Sequence, residues 1–286
     1  AQPQALRPLR APLIGREQEL AALTTALERL RRGQGGVVYL VGETGLGKTR
    51  LVAEGRSSEP ARDLTWLEGQ ALILGRSPAY GPVKQILGAD ADFLPGDDAA
   101  VRYEKLRGRV DQLFPDERGR HLTTLAALLS LPSETEAHSW LDSLGPNVFN
   151  HRLQEAVRGF LERLAAERPV VVVVEDIHWL DSSSAALVGR VLPLAGTNPL
   201  LFLVVARPEL EGSRLDPERV CSVAGIPCQK IRLHPLSAAE SRTLVSELLG
   251  SRELAAGLHA AIDRWAEGNP FFIEEIVKTL IDEGQI

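Results

Sequence analysis

The sequence is poor in the residues that mark several classes of protein. Its two cysteines, Cys221 and Cys228, are too few for a disulfide scaffold, and their spacing fits no common zinc motif. The longest apolar runs, 170–174 and 199–206, fall far short of the roughly 18 residues that span a bilayer. No signal peptide precedes them. These absences exclude secreted disulfide-rich and membrane-spanning proteins, and they predict reduced thiols and a cytoplasmic location.

Positive charge is not in excess, and one residue type is missing altogether. The 32 Lys and Arg against 38 Asp and Glu give a net charge of −6. We therefore expect no direct nucleic-acid binding by this chain, because no basic field attracts phosphates. Hydrophobic residues make up 44% and charged residues 24%, which excludes extensive disorder. Methionine is absent even at position 1, which indicates a piece excised from a longer polypeptide.

Short apolar segments alternate with amphipathic ones along most of the chain. The apolar segments do not alternate with polar residues, so they predict strands buried on both faces of a sheet. Helical patterns between them predict an α/β fold with a parallel sheet covered by helices. The predicted strands are 37–41, 64–71, 170–174, 200–206 and 228–233, and the predicted helices among them are 16–32, 48–54, 147–167 and 182–194.

The same reading divides the chain into regions. Residues 1–12 contain three prolines and predict a flexible tail, and residues 13–236 form the core. Within the core, residues 74–145 predict a helical insert, with helices at 99–114 and 121–131. After Leu236 the strand patterns stop, and Ser237 with Glu240 forms a capping box that opens a helix. Further helices at 253–266 and 270–283 complete a small helical appendage, 237–286.

The segment after the first strand matches the phosphate-binding pattern G-x-x-x-x-G-K-[ST]. It follows a strand and opens a helix, a context that disfavours a chance glycine-rich turn. Glycines let backbone N–H groups converge on phosphate oxygens, and the helix N-terminus adds partial positive charge. We expect Lys48 to reach the β- and γ-phosphates and the Thr49 hydroxyl to ligate Mg²⁺. The predicted nucleotide-binding residues here are Gly42, Glu43, Thr44, Gly45, Leu46, Gly47, Lys48, Thr49 and Arg50.

An acidic pair, Glu175 and Asp176, follows the run of valines at 170–174. Acidic residues at the carboxyl end of a central strand lie where open α/β sheets bind ligands. Phosphate chemistry needs one such group to hold Mg²⁺ and a neighbour to orient the attacking water. We expect Glu175 near the metal and Asp176 near the water, both within reach of Mg²⁺. The alternative interpretation is that the two carboxylates are solvated at the end of the strand and take no part in phosphate chemistry.

Other polar residues near strand ends have less specific interpretations. His178 and Trp179 leave open a nucleotide-sensing role or a local turn, in which the indole packs over the sheet edge and the imidazole hydrogen-bonds locally. Asp181 predicts the N-cap of the next helix. Arg207, after the fourth predicted strand, is a candidate catalytic residue that senses the γ-phosphate, or else a surface arginine before Pro208.

Several segments together resemble one family, the STAND-class, AAA+-like P-loop ATPases. They are 12–20, 175–181, 233–237 and 268–275, and their order and spacing carry the resemblance over residues 12–285. The similarity is greatest to the ATPase module of large LuxR-type transcription activators and of class III adenylyl cyclases with fused ATPases, which segment 78–82 also resembles.

The resemblance implies a central five-stranded parallel sheet with a helical lid, residues 237–286, and ATP between them. It implies adenine contacts from Gly15, Arg16 and Pro270. It also implies slow ATP turnover used as a switch, with sensory repeats, an effector domain and a winged helix elsewhere in the polypeptide. The first acidic position is commonly Asp in this family and is Glu175 here, which leaves hydrolysis open.

Three functions are therefore weighed. The favoured one is a regulatory ATP-binding switch with slow Mg²⁺-dependent hydrolysis, in which Lys48, Glu175, Asp176 and Arg207 are the candidate catalytic residues. The second is an AAA-type ring-forming motor or loader. The third is a scaffold that keeps ATP without hydrolysing it and docks partners through the insert, 74–145. Nucleotide-dependent self-association is left open.

Overall fold

A parallel sheet organises the chain. The computed structural model describes residues 12–72, 79–116, 118–132, 146–208, 215–250 and 256–283. The strands are β1 (Gly36–Val41), β2 (Thr65–Gln70), β3 (Val170–Glu175), β4 (Leu200–Ala206) and β5 (Cys228–Arg232). They form one five-stranded sheet in the order β2-β3-β4-β1-β5, and every neighbouring pair is parallel. The predicted α/β fold is confirmed.

Helices cover the sheet and build the insert and the lid. They are α1 (Glu17–Arg31), α2 (Lys48–Ser57), α3 (Gly81–Asp90), α4 (Ala99–Leu113), α5 (Arg118–Leu128), α6 (Pro146–Glu167), α7 (Ser182–Val191), α8 (Pro217–Ala224), α9 (Ala238–Leu249), α10 (Ala256–Ala266) and α11 (Pro270–Asp282). None of these helices is long and apolar enough to cross a membrane.

Strand composition follows position in the sheet. All side chains of β1 and β4 are buried, because helices pack on both faces of these inner strands. Val170, Val172 and Val174 join the core on one face, while Val171 and Val173 join the core on the other. The edge strands β2 and β5 include exposed polar residues among the buried ones. The register pairs Gln70 with Glu175 and Val41 with Ala206, so the carboxyl ends of β1 to β4 share one edge of the sheet.

Helices α3 and α8 were not predicted, because each has a proline near its start. Pro82 lies in the first turn of α3 and Pro217 in the first turn of α8, where the missing N–H costs nothing. Helix α3 lies so close to β2 that a Cβ on Gly69 would come 2.3 Å from the Pro82 carbonyl oxygen. The insert therefore packs on the sheet edge. Residues 1–11 of the predicted tail and residues 74–78, 117 and 133–145 of the predicted insert lie outside the described residues.

The lid has its own apolar core, which includes Leu244, Ile262 and Ile273. Its first helix, α9, begins with the predicted capping box between Ser237 and Glu240. The two cysteines are free thiols.

Candidate functional site

A cleft of about 760 Å³ lies at the carboxyl edge of the sheet, between the core and the lid. That volume suits a small-molecule ligand. The predicted site residues that line it are Arg16, Thr44, Gly45, Leu46, Gly47, Lys48, Thr49, Arg50, Asp176, Arg207 and Pro270. Four predicted residues, Gly15, Gly42, Glu43 and Glu175, lie beside it rather than on its wall. Wall residues that the sequence analysis missed are Pro12, Leu13, Ile14, Ala53, Glu54, Ser57, Leu236, Leu244, Phe271 and Glu274.

The loop between β1 and α2 is built by left-handed glycines. Gly45 has φ +84° and Gly47 has φ +89°, a backbone region that other residues rarely adopt. Lys48 Nζ bends back and donates to the carbonyl oxygens of Gly42 (2.6 Å) and Glu43 (2.8 Å). Burial lowers the pKa of Lys48, and Arg207 adds to the effect, while Asp176 opposes it. The lysine is therefore a partly desolvated cation facing the cleft.

The two acidic residues, Glu175 and Asp176, have different surroundings. The Thr49 hydroxyl hydrogen-bonds to the half-buried Glu175 carboxylate. Burial raises the pKa of Glu175, and the negative charges of Asp176 and Glu68 raise it further. Asp176 has φ 56° and ψ 43°, a left-handed conformation uncommon for an aspartate and frequent at functional sites. This turn brings Asp176 onto the cleft wall although it directly follows Glu175 on the strand.

Gln70, at the end of β2, holds Asp176 and was missed by the sequence analysis. Its Nε2 donates to Asp176 Oδ2 at 3.0 Å. The Gln70 backbone is in turn held by Gln85 of α3, which accepts from Gln70 N at 3.0 Å and donates to Gln70 O at 3.1 Å. The sequence feature that could have indicated Gln70 is its position as a polar residue at the end of a predicted strand. The insert thus contacts the site through one glutamine.

The segment 177–181 has a mixed outcome. Asp181 accepts from the backbone N–H groups of Ser183 and Ser184, so the predicted N-cap of α7 is confirmed. Trp179 packs against the core. Both ring nitrogens of His178 are buried and lack a hydrogen-bond partner among the described residues, so the local hydrogen bond weighed for His178 is wrong. Burial lowers the pKa of His178.

The entry segment ties the core to the lid. The buried Arg16 guanidinium donates to the His234 carbonyl oxygen at 2.6 Å and to the Leu46 carbonyl oxygen at 3.4 Å. Gly15, at φ +64°, lies so close to Glu240 that a Cβ would come 2.5 Å from its carboxylate. Arg16 therefore braces the loop against the junction with the lid, and the adenine contacts assigned to Gly15 and Arg16 stay predictions.

The lid touches the glycine-rich loop directly. Asn269 Nδ2 donates to the Thr44 carbonyl oxygen at 2.9 Å, and the Phe271 N–H donates to the Gly45 carbonyl oxygen at 3.3 Å. Asn269 Oδ1 also accepts from the Phe271 N–H at 3.1 Å, which makes it the predicted N-cap of α11. A Cβ on Gly45 would come 2.5 Å from Asn269 Oδ1, so glycine is required at this contact.

Comparison with known proteins identifies the family. Residues 12–204 match the AAA ATPase domain. The chain belongs to this family. Its lid, residues 237–286, matches a domain of unknown function, DUF8739.

The AAA ATPase module also resembles longer proteins. It is 28% identical over 284 residues to uncharacterized protein R02095 of Rhizobium meliloti (strain 1021), with 93% of this chain and 25% of that protein aligned. The chain thus spans about a quarter of the length of this curated relative.

Two solved structures are similar to this chain. The ORC1 protein of Aeropyrum pernix, solved in complex with DNA, is similar at a TM-score of 0.53 and 15% identity, over 97% of this chain and 63% of that one. The STAND protein with a tetratricopeptide repeat sensor from Pyrococcus horikoshii gives a TM-score of 0.43 and 14% identity, over 93% of this chain and 30% of that one. The ORC1 likeness supports an AAA+-like P-loop ATPase fold.

The residues of this ATP-binding module fit a nucleotide with Mg²⁺. Magnesium prefers oxygen ligands and is usually held by one or two carboxylates together with substrate phosphates. Thr49 and Glu175 meet, and Asp176 lies nearby, which offers hydroxyl and carboxylate oxygens. Within the described ranges no three His, Cys, Asp or Glu side chains form a metal site by themselves. These residues would therefore hold Mg²⁺ together with phosphate oxygens.

Proposed function

We propose that this AAA ATPase module is a regulatory switch that binds ATP and hydrolyses it slowly with Mg²⁺, within a larger signalling or transcription-regulatory protein. The observation that carries the proposal is the contact of the lid with the phosphate-binding loop. Asn269 and Phe271 donate hydrogen bonds to the carbonyl oxygens of Thr44 and Gly45, which are two residues of that loop. A change in the loop on phosphate binding therefore reaches the lid without an intermediary.

Each side chain has a role that its position supports. Lys48 exchanges the carbonyl oxygens of Gly42 and Glu43 for phosphate oxygens, which compensate its burial better because they are charged. Thr49 and Glu175 hold Mg²⁺, which neutralises charge on the phosphates when bound. Asp176 orients the attacking water, and Arg207 contacts the γ-phosphate through its planar guanidinium.

The base of the nucleotide fits the other half of the cleft. That part of the wall is mainly apolar and combines the entry segment with the lid, through Leu13, Ile14, Leu244 and Pro270. A base bound here contacts both sides at once. Because lid and core share the ligand, its affinity depends on lid closure, which is the condition for a ligand-driven population shift.

The relatives support a proposal for the setting of the module. The R. meliloti protein is about four times longer than the aligned segment, which supports further sensor and effector domains as partners. The net charge of −6 favours no direct nucleic-acid contact, although the ORC1 structure contains DNA. We propose a cytoplasmic location.

The test begins with the nucleotide that co-purifies. Denatured protein is analysed by ion-exchange chromatography, and we expect close to one ADP per chain. Lys48→Ala should lose nucleotide, while Lys278→Ala, an exposed lysine of the lid, should keep it. Steady-state turnover of many per second would contradict a slow switch. Nucleotide-dependent rings in light scattering would favour the motor, and bound ATP that is never hydrolysed would favour the scaffold.

A further inference from the structure

We propose that His178 binds the attacking water jointly with Asp176, as a second catalytic residue of the hydrolysis. The inference rests on the proposed ATPase function and assigns a residue to its chemical step. It starts from a buried imidazole that has no hydrogen-bond partner among the residues that the structure describes.

The environment of His178 is unusual for a buried polar side chain. Only 12% of the side chain is exposed, and both Nδ1 and Nε2 are buried without a hydrogen-bond partner in the described part of the chain. Leaving a buried polar group unpaired costs about 1–3 kcal/mol, so such groups are rare and call for an explanation. Packing alone does not explain a histidine here, because an apolar ring would pack without that cost.

The position of the imidazole supplies the explanation. His178 lies in the short 3₁₀ turn Ile177–Trp179, which directly follows the left-handed Asp176. His178 Nε2 is 4.0 Å from Asp176 Oδ1. This separation is too long for a direct hydrogen bond. One water that displaced the atoms covering Nε2 would lie within hydrogen-bond distance of both atoms.

The two carboxylate oxygens of Asp176 are divided between two tasks. Oδ2 accepts from Gln70 Nε2 at 3.0 Å, which fixes the orientation of the carboxylate. Oδ1 is the oxygen nearer His178. A water between Oδ1 and the imidazole would therefore contact both groups, and the positive charges of Lys48 and Arg207 act on the same region.

The chemical step balances with water as the only co-reactant. The water oxygen forms a bond to the γ-phosphorus while the bond from phosphorus to the bridging oxygen breaks, and ADP leaves. One water proton stays on the new phosphate, and the other passes to Asp176 Oδ1 and then to solvent. His178 accepts a hydrogen bond from the water in its neutral form and fixes the direction of the lone pair that attacks.

Three variants test the assignment. His178→Phe keeps an aromatic ring but removes both nitrogens, His178→Gln returns a polar atom near Nε2, and Trp179→Phe is the control in the same turn. Four quantities are measured for each variant: the melting temperature, the affinity for ADP, the affinity for the ADP–aluminium fluoride complex, and phosphate release at saturating ATP. The aluminium fluoride complex mimics the transferring phosphoryl group with its apical water.

For His178→Phe we expect an unchanged or higher melting temperature and ADP affinity within about twofold of the parent, because His178 makes no hydrogen bond with the described residues that could be lost. Phosphate release and affinity for the aluminium fluoride complex should each fall by about tenfold or more. His178→Gln should recover part of both losses. Trp179→Phe should keep the parental phosphate release and the parental affinity for the aluminium fluoride complex.

Other outcomes overturn the inference in distinguishable ways. If the parent hydrolyses ATP and His178→Phe matches it in phosphate release and in the aluminium fluoride complex, His178 has no part in the step and the proposed function stands. If ADP affinity and melting temperature fall together with activity, and glutamine restores nothing, His178 is structural. If the parent binds ADP but neither hydrolyses ATP nor forms the aluminium fluoride complex, the proposed function fails as well.

Discussion

The hydrogen bond from Asn269 to the phosphate-binding loop makes a quantitative prediction about nucleotide exchange. Asn269→Ser keeps the N-cap of α11, because serine caps as well as asparagine, but its side chain is too short to reach the Thr44 carbonyl. The substitution therefore removes the contact between lid and loop and leaves the lid helix intact. If lid opening controls exchange, ADP should leave the variant faster.

The magnitude follows from one hydrogen bond. A bond of this kind contributes about 0.5–1.5 kcal/mol net, and 1.4 kcal/mol corresponds to a factor of ten. When opening and closing are fast compared with ADP release, the release rate scales with the fraction of open lid. We expect Asn269→Ser to release ADP about two to ten times faster. Asn269→Ala also loses the cap, which costs a further ~1 kcal/mol of lid stability, and should release ADP faster still.

The assay is displacement of a fluorescent ADP analogue by excess ATP in a stopped-flow instrument. Asn198→Ser is the matched control, because Asn198 Nδ2 donates to the Leu194 carbonyl oxygen at 3.1 Å, before β4 and away from the cleft. The control should lose stability without a change in release rate. Release from Asn269→Ser at the parental rate would refute the reasoning, because the contact would then not hold the lid closed.

Three further predictions concern the acidic pair and the insert. Gln70→Leu removes the amide that orients the second acidic side chain, so phosphate release should fall while ADP affinity, by titration, stays within about twofold; unchanged release would deny that role. Glu175→Gln should raise the stability of the nucleotide-free protein at pH 7, by at most ~1 kcal/mol after solvent screening, because burial raises the pKa of this carboxyl and its ionised form costs stability. Urea denaturation measures the difference in free energy of unfolding between Glu175→Gln and the parent. This difference should shrink as the pH falls from above the raised pKa of folded Glu175 towards the pKa of the unfolded chain. A difference that does not change with pH would show that ionisation of Glu175 is not its cause. Gly69→Ala should lower the free energy of unfolding by about 1–3 kcal/mol, because its Cβ would meet the Pro82 carbonyl, whereas Gly108→Ala, which meets nothing within 4 Å, should be neutral or stabilising.

The parts of the fold that follow from local pattern could be predicted. The valines of β3 and the apolar run of β4 are buried on both faces, so their sequences carry no polar alternation. The glycines and Lys48 of the loop are dictated by its backbone conformation and by phosphate chemistry. Helices α3 and α8 were missed because a proline in the first turn looks like a break in the sequence, although it is tolerated there.

The contacts that make the site specific could not be predicted, because they depend on distant parts of the chain. The sequence predicts Asn269 as a helix N-cap, which is confirmed. Its second hydrogen bond, to the Thr44 carbonyl oxygen, could not be predicted because Thr44 lies 225 residues earlier. Gln70 and Asp176 are 106 residues apart and meet only because β2 and β3 pair in one register. The sequence also could not predict that His178 has no hydrogen-bond partner in the described part of the chain, because this depends on which residues pack around the ring.

The geometry of the loop also limits how the proposed switch would work. Two successive pairs of its carbonyls have different partners: those of Gly42 and Glu43 accept from Lys48, and those of Thr44 and Gly45 accept from the lid. A phosphate that draws Lys48 away therefore disturbs the same short segment that anchors the lid. Two net hydrogen bonds supply about 1–3 kcal/mol, which is a coupling of roughly 5- to 150-fold. A shift from 1:99 to 99:1 needs about 5.5 kcal/mol. The loop alone thus biases the lid without switching it completely, and the remainder must come from a nucleotide that touches core and lid together.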